Sequence, residues 1–145
     1  MAIDPVHNLL TVVGGNRRQG TKIMIFDRTA SGNTKPLRVI SGSNTQLGSL
    51  GGPHAVYPPT GRILVTVRSQ TPSGGQGEEL ATDDGFVGVW SINDSGNVPP
   101  RWQIGGPHGV LQMVRGVAVN PKNKEMIVTD KRLNAILTFS FPELF

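Results

Sequence analysis

The feature that most constrains the fold of this chain is a segment that occurs three times without a gap. The copies begin at Ala2, Ala55 and Ala118 and read AIDPVHNLLTVV, AVYPPTGRILVT and AVNPKNKEMIVT. Each copy has a short apolar run, a turn that contains a proline, and a second apolar run. Because proline fixes φ at a turn position, and Asp or Asn before it in two copies opens turns, each copy predicts two antiparallel strands joined by a tight turn.

A second repeated segment follows the first in two of the three copies. FDRTASGNTKPLRVISG begins at Phe26 and WSINDSGNVPPRWQIGG begins at Trp90, and both contain Ser-Gly-Asn at the same place. The apolar runs on either side of that tripeptide predict a third and a fourth strand with a turn between them. Units of four antiparallel strands that recur at about 40 residues or more are typical of β-propeller blades.

The predicted fold class is therefore all-β, a β-propeller in a single domain, residues 1–145, with blades at about 1–42, 53–106 and 115–145. The third blade ends after its third strand and lacks a fourth. Composition agrees, because 19 glycines, 11 prolines and a hydrophobic content of 37% favour many short strands joined by turns. No segment has the apolar spacing of a helix.

Cysteine and long apolar runs are both absent from the sequence. Without cysteine, disulfides and thiolate metal sites are excluded, whereas the cellular compartment stays undetermined. The apolar runs end after about five residues, far short of the ~20 that span a bilayer, and the start MAIDPVHNLL lacks the regions of a signal peptide. We therefore expect a soluble chain with no membrane segment and assign it no location.

The third unit carries the most specific set of residues. These are Gly116-Val117-Ala118-Val119, Asn120-Pro121, the VTD that ends at Asp130, Asn134 and the following AILTF. In these residues the chain resembles the NHL repeat family of propellers, and more loosely the wider group of six-bladed propellers that includes sugar-lactone hydrolases. The resemblance implies a six-bladed ring used mainly as a binding scaffold. Units one and two match less well, since Gly14 and Val67 stand where unit three has its aspartate, and unit two has a long insertion.

Three blades are half of the ring that this resemblance implies. An open array would leave two apolar sheet faces and a free strand edge in water. Three arrangements stay open: two copies that complete a ring, a longer propeller of which this chain is a part, and another assembly. The segment SFPELF from Ser140 either packs across a junction or begins the missing fourth strand.

In an up-and-down meander the connections alternate between the two ends of the strands, and in this chain the long connections share one end. They read GGNRRQGT, RSQTPSGGQGEELATDDG, DKRLN, SGSNTQLGSLGGPH and GGPHGVLQMVR, and they differ from one another. Variable loops on a rigid scaffold form binding sites, so we place the binding surface there. The candidate ligand- or partner-binding residues are Arg17, Arg18, His54, Arg68, His108, Arg115, Lys131 and Arg132.

No catalytic residue, metal ligand or cofactor is predicted. The tetrapeptide GGPH occurs twice, but His54 lies one residue before its aligned alanine and His108 lies ten residues before its own, so the two histidines occupy different places in their units. The carboxylates of EELATDDG lack the alternating spacing of a calcium loop and are interpreted as an acidic surface loop. The chain also lacks the Gly-x-Ser-x-Gly motif of a hydrolase nucleophile.

The leading functional hypothesis is a non-catalytic scaffold that binds a protein or a small ligand, completed as a homodimer or by the rest of a longer propeller. One alternative follows from the resemblance: a metal-dependent enzyme of the lactone-hydrolase type, with a site completed by a second copy or by missing blades, although no spaced ligand set in this chain matches it. A further alternative is binding of RNA or another polyanion, since residues 1–50 carry six cations and two anions and the net charge is +4. The acidic loop, and the lack of aromatic residues beside these cations, argue against nucleic acid.

Overall fold

The computed structural model describes residues 1–16, 20–48, 51–68 and 85–145, and these residues form an all-β chain, as predicted. Its strands form three antiparallel sheets, each ordered as in the sequence. Sheet I contains β1 (Ala2–Asp4), β2 (Leu9–Asn16), β3 (Gly20–Asp27) and β4 (Arg38–Ile40). Sheet II contains β5 (Gly51–Tyr57), β6 (Arg62–Val67), β7 (Phe86–Ser91) and β8 (Trp102–Gly105). Sheet III contains β9 (Val114–Asn120), β10 (Glu125–Asp130) and β11 (Ala135–Ser140).

The backbone reproduces the repeat found in the sequence. The turns between the first two strands of each sheet place Asn8, Gly61 and Lys124 at positive φ, with values of 56°, 60° and 55°. These three residues occupy the same place in the aligned segments. The strand pairs on either side also match, since Ile3 pairs with Leu10 in the first unit as Val119 pairs with Met126 in the third. The repeat is therefore one of structure as well as of sequence.

Sheet II lies between the other two sheets and is buried on both of its faces. In β6 the side chains of Ile63 and Val65 pack towards sheet I, whereas Leu64 packs towards sheet III. In β7 the alternation continues, with Trp90 on the sheet I side and Val89 on the sheet III side. Because successive side chains of a strand point to opposite faces, two continuous apolar strands can fill two separate cores.

The first strands of the three sheets lie side by side. Strand β5 contacts β1 and β2 on one side and β9 on the other. Sheets I and II also contact each other at β4, the edge strand of sheet I, through the turn that contains Ser95-Gly96-Asn97. Gly96 N donates to Val39 O at 2.8 Å and Ser41 N donates to Gly96 O at 3.0 Å, which ties this turn to the edge strand β4.

The last residues of the chain cross the junction between sheets II and III of the same chain, whereas the sequence predicted a role for SFPELF at a junction between copies or in a fourth strand. Pro142–Leu144 form a 3₁₀ turn, and Leu144 is buried in the core between the two sheets. Phe141 meets the Trp102 ring edge-on at 5.8 Å between ring centroids, and Phe145 meets Tyr57 at 4.8 Å. Sheet III therefore has three strands, and the residues that follow β11 pack against sheet II.

Two details differ from the sequence prediction. The first GGPH, predicted as the end of a loop, lies in β5, which begins at Gly51 and has a register shift before His54. Gly52 permits this strand because a Cβ there would overlap the Thr66 side chain. In addition, short 3₁₀ turns at Ser43–Thr45 and Pro58–Thr60 interrupt the connections. Within the described residues, no helix has the length and apolar character needed to cross a membrane.

Candidate functional site

The connections that follow β4, β6, β8 and β10 leave the sheets at one end, and we call this end the loop face. Its described parts are residues 41–48, the start of the β6–β7 connection at Arg68, the β8–β9 connection 106–113 and the β10–β11 turn 131–134. The opposite end, which we call the short-turn end, carries the four-residue turns after β1, β5 and β9, and also the longer β3–β4 and β7–β8 connections, residues 28–37 and 92–101. The predicted difference in loop length therefore holds only in part, since the β10–β11 turn of the loop face has four residues.

The carboxylate of Asp130 holds two loops of this face together. Its Oδ2 accepts hydrogen bonds from Gln112 N at 2.7 Å and Met113 N at 3.0 Å, and its Oδ1 accepts from Arg132 N at 3.0 Å and Leu133 N at 3.2 Å. Burial by itself would raise the pKa of Asp130, but these four bonds outweigh it and hold the pKa below the usual value. The β8–β9 connection and the β10–β11 turn are thus fixed by one ionised group.

The cationic residues of sheet III lie around this fixed pair of loops. Lys131 and Arg132 have exposed side chains in the β10–β11 turn, and Lys131 N donates to Met113 O at 2.9 Å. Arg115, at the start of β9, is half-buried and its Nη2 lies 3.5 Å from the Met113 sulfur. Because Asp130 is only 2% exposed, the described side chains of these loops present positive charge to solvent.

The two histidines of the repeated GGPH have different environments. His108 is exposed in a turn that Gly109 N closes by donating to Gly106 O at 2.8 Å. His54 lies between sheets I and II, where its Nε2 donates to Thr11 O at 3.2 Å and lies 3.1 Å from Thr11 Oγ1. Sequence comparison alone assigned both to loops, and only the strand register shows that His54 belongs to a sheet junction.

The environment of His54 favours its neutral form. Burial lowers the pKa of this imidazole, the ammonium of Met1 lowers it further, and the bond to Thr11 O offsets part of the shift. Thr11 Oγ1 in turn donates to Ala2 O at 3.2 Å, so the ring joins β5 to both β1 and β2. His54 therefore acts as a hydrogen-bonded link between two sheets.

The remaining candidates fall at the margins of what the structure describes. Arg68 follows β6 directly and is half-buried, on the side of sheet II where its longest connection begins. Arg17 and Arg18, and the acidic cluster at residues 78–84, lie outside the described residues. Within the described ranges, no group of three His, Asp or Glu side chains is placed to hold a metal ion.

The short-turn end is built by local hydrogen bonds. Asp4 accepts from Val6 N and His7 N, both at 3.0 Å, and its second oxygen lies 2.8 Å from His7 Nδ1. At the β7–β8 connection, Arg101 pairs with Asp94 at 2.6 Å, and Asp94 also accepts from Ser91 N at 2.8 Å. These contacts satisfy the turns themselves, so we assign no ligand to this end.

Comparisons with known proteins identify no relative. No family model, curated protein or solved structure matches this chain.

Proposed function

We propose that this protein is a β-propeller-type binding scaffold, in which sheets I to III are blades and the loop face receives a protein or small-ligand partner. The repeated meanders, the adjacent first strands and the double-sided burial of sheet II are the features expected of neighbouring blades. A support of this kind is rigid, and its variable loops are free to carry specificity.

The observation that carries the proposal is the fixing of two loops of the loop face by Asp130. Its carboxylate accepts hydrogen bonds from the backbone of both loops, and the side chains of Lys131 and Arg132 lie at the surface of this ordered part. Ordered loops bind with a smaller loss of conformational freedom than loops that must first be ordered. Positive charge on these loops favours a partner that carries carboxylates.

The test is a titration of the ¹⁵N-labelled protein with a short glutamate-rich peptide, followed by amide chemical shifts. We expect the largest shifts in residues 106–113 and 131–134, and smaller shifts with a peptide in which glutamine replaces glutamate. Lys131→Glu combined with Arg132→Glu should abolish the response. Reversal of these two charges should leave the loops intact, because Asp130 accepts its hydrogen bonds from the backbone of this turn.

The matched control reverses two charges at the other end of the sheets. Lys35 and Lys122 are both exposed and lie in the β3–β4 connection and the turn after β9. Lys35→Glu combined with Lys122→Glu should leave the titration unchanged. Equal weakening in both double variants would mean that the peptide responds to net charge alone, and shifts centred on residues 121–124 would place binding at the wrong end. Either result contradicts the proposal.

A further inference from the structure

Sheet I presents an apolar face to solvent on the side away from sheet II. The register places the side chains of this face together, since Ile3 pairs with Leu10, Leu10 with Phe26, and Val12 with Met24. Ile3 is 55% exposed and the others are half-buried. We call this surface the front face of sheet I; its residues are Ile3, Leu10, Val12, Met24, Phe26 and Val39.

The repeat shows what such a face does elsewhere in the molecule. Leu10 and Val12 occupy the positions of Ile63 and Val65 in sheet II, and those two side chains are fully buried against sheet I. The corresponding pair in sheet III, Met126 and Val128, is likewise buried, in this case against sheet II. In both described junctions, the front face of one sheet packs on the sheet that precedes it.

Sheet III presents the opposite kind of face. Its back face, turned away from sheet II, carries Ala118, Ile127, Thr129, Ile136 and Thr138. The same positions of sheet II hold Ala55, Leu64, Thr66, Val87 and Val89, all of which face sheet III. One position shows the contrast most directly: Val87 is fully buried, whereas Ile136 is 72% exposed.

One chain therefore carries the two kinds of surface that pack together at a sheet junction, but its own front face of sheet I and back face of sheet III are both at the surface. We propose that a second copy of the chain packs the front face of its sheet I on the back face of sheet III, and receives the reciprocal contact on its own sheet III. This pairing continues the two described junctions with the same residue types on each side. It extends the propeller arrangement proposed above and does not depend on what the loop face binds.

The geometry of the contact is head to tail, because the two surfaces that meet are different. A head-to-tail contact closes when the rotations return to the starting copy, and otherwise produces an open filament. The three described sheets of each chain become six in a closed pair, which covers the outer faces of sheets I and III in both copies. The proposed assembly is therefore a closed pair of identical chains.

The test is the mass in solution, measured by light scattering over a dilution series. The unaltered chain should give about 31 kDa, twice the 15.5 kDa of one chain, and should keep it on dilution into the micromolar range. Ile136→Lys should lower the mass to that of one chain, since it places a charge in the proposed contact. Val12→Lys should do the same from the other side.

A lysine placed away from the proposed contact serves as the control for the mass measurement. Val110 is 61% exposed in the β8–β9 connection, away from both sheet faces, so Val110→Lys should leave the mass at 31 kDa. If Val12→Lys fails to fold, Ile136→Lys decides, because that side chain is already exposed in one chain. An unaltered chain of 15.5 kDa, a mass that grows with concentration, or an Ile136→Lys protein that keeps the unaltered mass would each overturn the proposal.

Failure of the pairing and failure of the binding role give different results. Residues 106–113 and 131–134 lie in the loops rather than on the two outer sheet faces. A single-chain variant such as Ile136→Lys should therefore still respond to the glutamate-rich peptide if the loop face binds. A paired protein that does not respond would instead remove the binding role and leave the pairing intact.

Discussion

Sheet II and its two neighbours are built from the same repeat, yet they have different surroundings. Strand β7 of sheet II is buried at every position, whereas β11 of sheet III, at the same place in its unit, alternates between half-buried and exposed residues. The apolar residue types are similar, so the difference comes from the neighbours of each strand rather than from its own sequence. Position in the stack therefore decides how much each equivalent side chain contributes to stability.

The sharpest form of this comparison is the pair Trp90 and Phe26, which occupy equivalent positions in sheets II and I. Trp90 is fully buried, whereas Phe26 lies half-buried on the front face of sheet I. Trp90→Ala should lower the free energy of unfolding by about 4 kcal/mol, and Phe26→Ala by about 1 kcal/mol. Urea denaturation of both variants in the Ile136→Lys background, where a single chain is expected, measures both values. Equal costs would contradict the described stacking.

Asp130 separates the third unit from the other two, because Gly14 and Val67 stand at its position there. Asp130→Asn should lower the free energy of unfolding at pH 7 by about 2 kcal/mol, since an amide oxygen cannot accept all four backbone N–H groups. The pKa of Asp130 is lowered on folding, so its contribution is fully present above the unfolded value of about 3.9 and declines as the pH falls through the folded value.

The measurement for Asp130 is urea denaturation of both proteins at a series of pH values. The difference in unfolding free energy between the unaltered protein and Asp130→Asn should be constant above about pH 5 and should shrink below about pH 4. A difference that stays constant down to pH 2 would show that the carboxylate is not stabilised by its backbone bonds in the folded state.

The two Ser-Gly-Asn turns provide a comparison within one motif. Both asparagines are exposed, but Asn97 Oδ1 accepts a hydrogen bond from Asn44 N at 2.8 Å, which joins sheet II to the connection after β4. Asn97→Ala should cost about 1 kcal/mol of unfolding free energy, and Asn33→Ala less than about 0.5 kcal/mol. Thermal denaturation of both variants in the Ile136→Lys background distinguishes them, and a reversed order would contradict the Asn97–Asn44 contact.

The last comparison concerns the positive-φ position shared by the first turns, where two substitutions should have small effects of opposite sign. Lys124→Gly should stabilise the protein by about 0.5 kcal/mol, because the relief of a left-handed backbone exceeds the entropic cost of glycine. Gly61→Ala should destabilise it by about 1 kcal/mol, since a Cβ would also lie 2.8 Å from the Ile92 side chain. Two changes of the same sign in chemical denaturation would contradict the shared turn geometry.

The repeats allowed the strands to be predicted, because short apolar runs between proline and glycine turns leave few alternatives to antiparallel meanders. The three aligned segments begin within or beside β1, β5 and β9, and the Ser-Gly-Asn turns fall between the third and fourth strands. Which faces are covered could not be read from the sequence, because β2, β6 and β10 are apolar enough to be buried on either side. Neighbours decide that, and neighbours are set by long-range packing.

The site was predicted less well for a related reason. The loop positions of Lys131 and Arg132 follow from the strand assignment. The bonds from Asp130 to the backbone N–H groups of Gln112 and Met113 do not, because those residues lie 18 and 17 positions away in the sequence. His54 was predicted in a loop but lies in β5, since the register shift before it depends on Gly52 fitting against Thr66. Contacts of this kind have no local sequence signature.

The most direct test of the central claim, that the outer faces of sheets I and III are the two halves of one junction, uses the absence of cysteine. Val12→Cys and Ile136→Cys proteins are treated with a bis-maleimide that spans about 10 Å, the usual spacing of packed sheets. We predict a cross-linked pair when the two proteins are mixed and little product from either protein alone. Cross-linking of Ile136→Cys with itself, or none in the mixture, would contradict the claim.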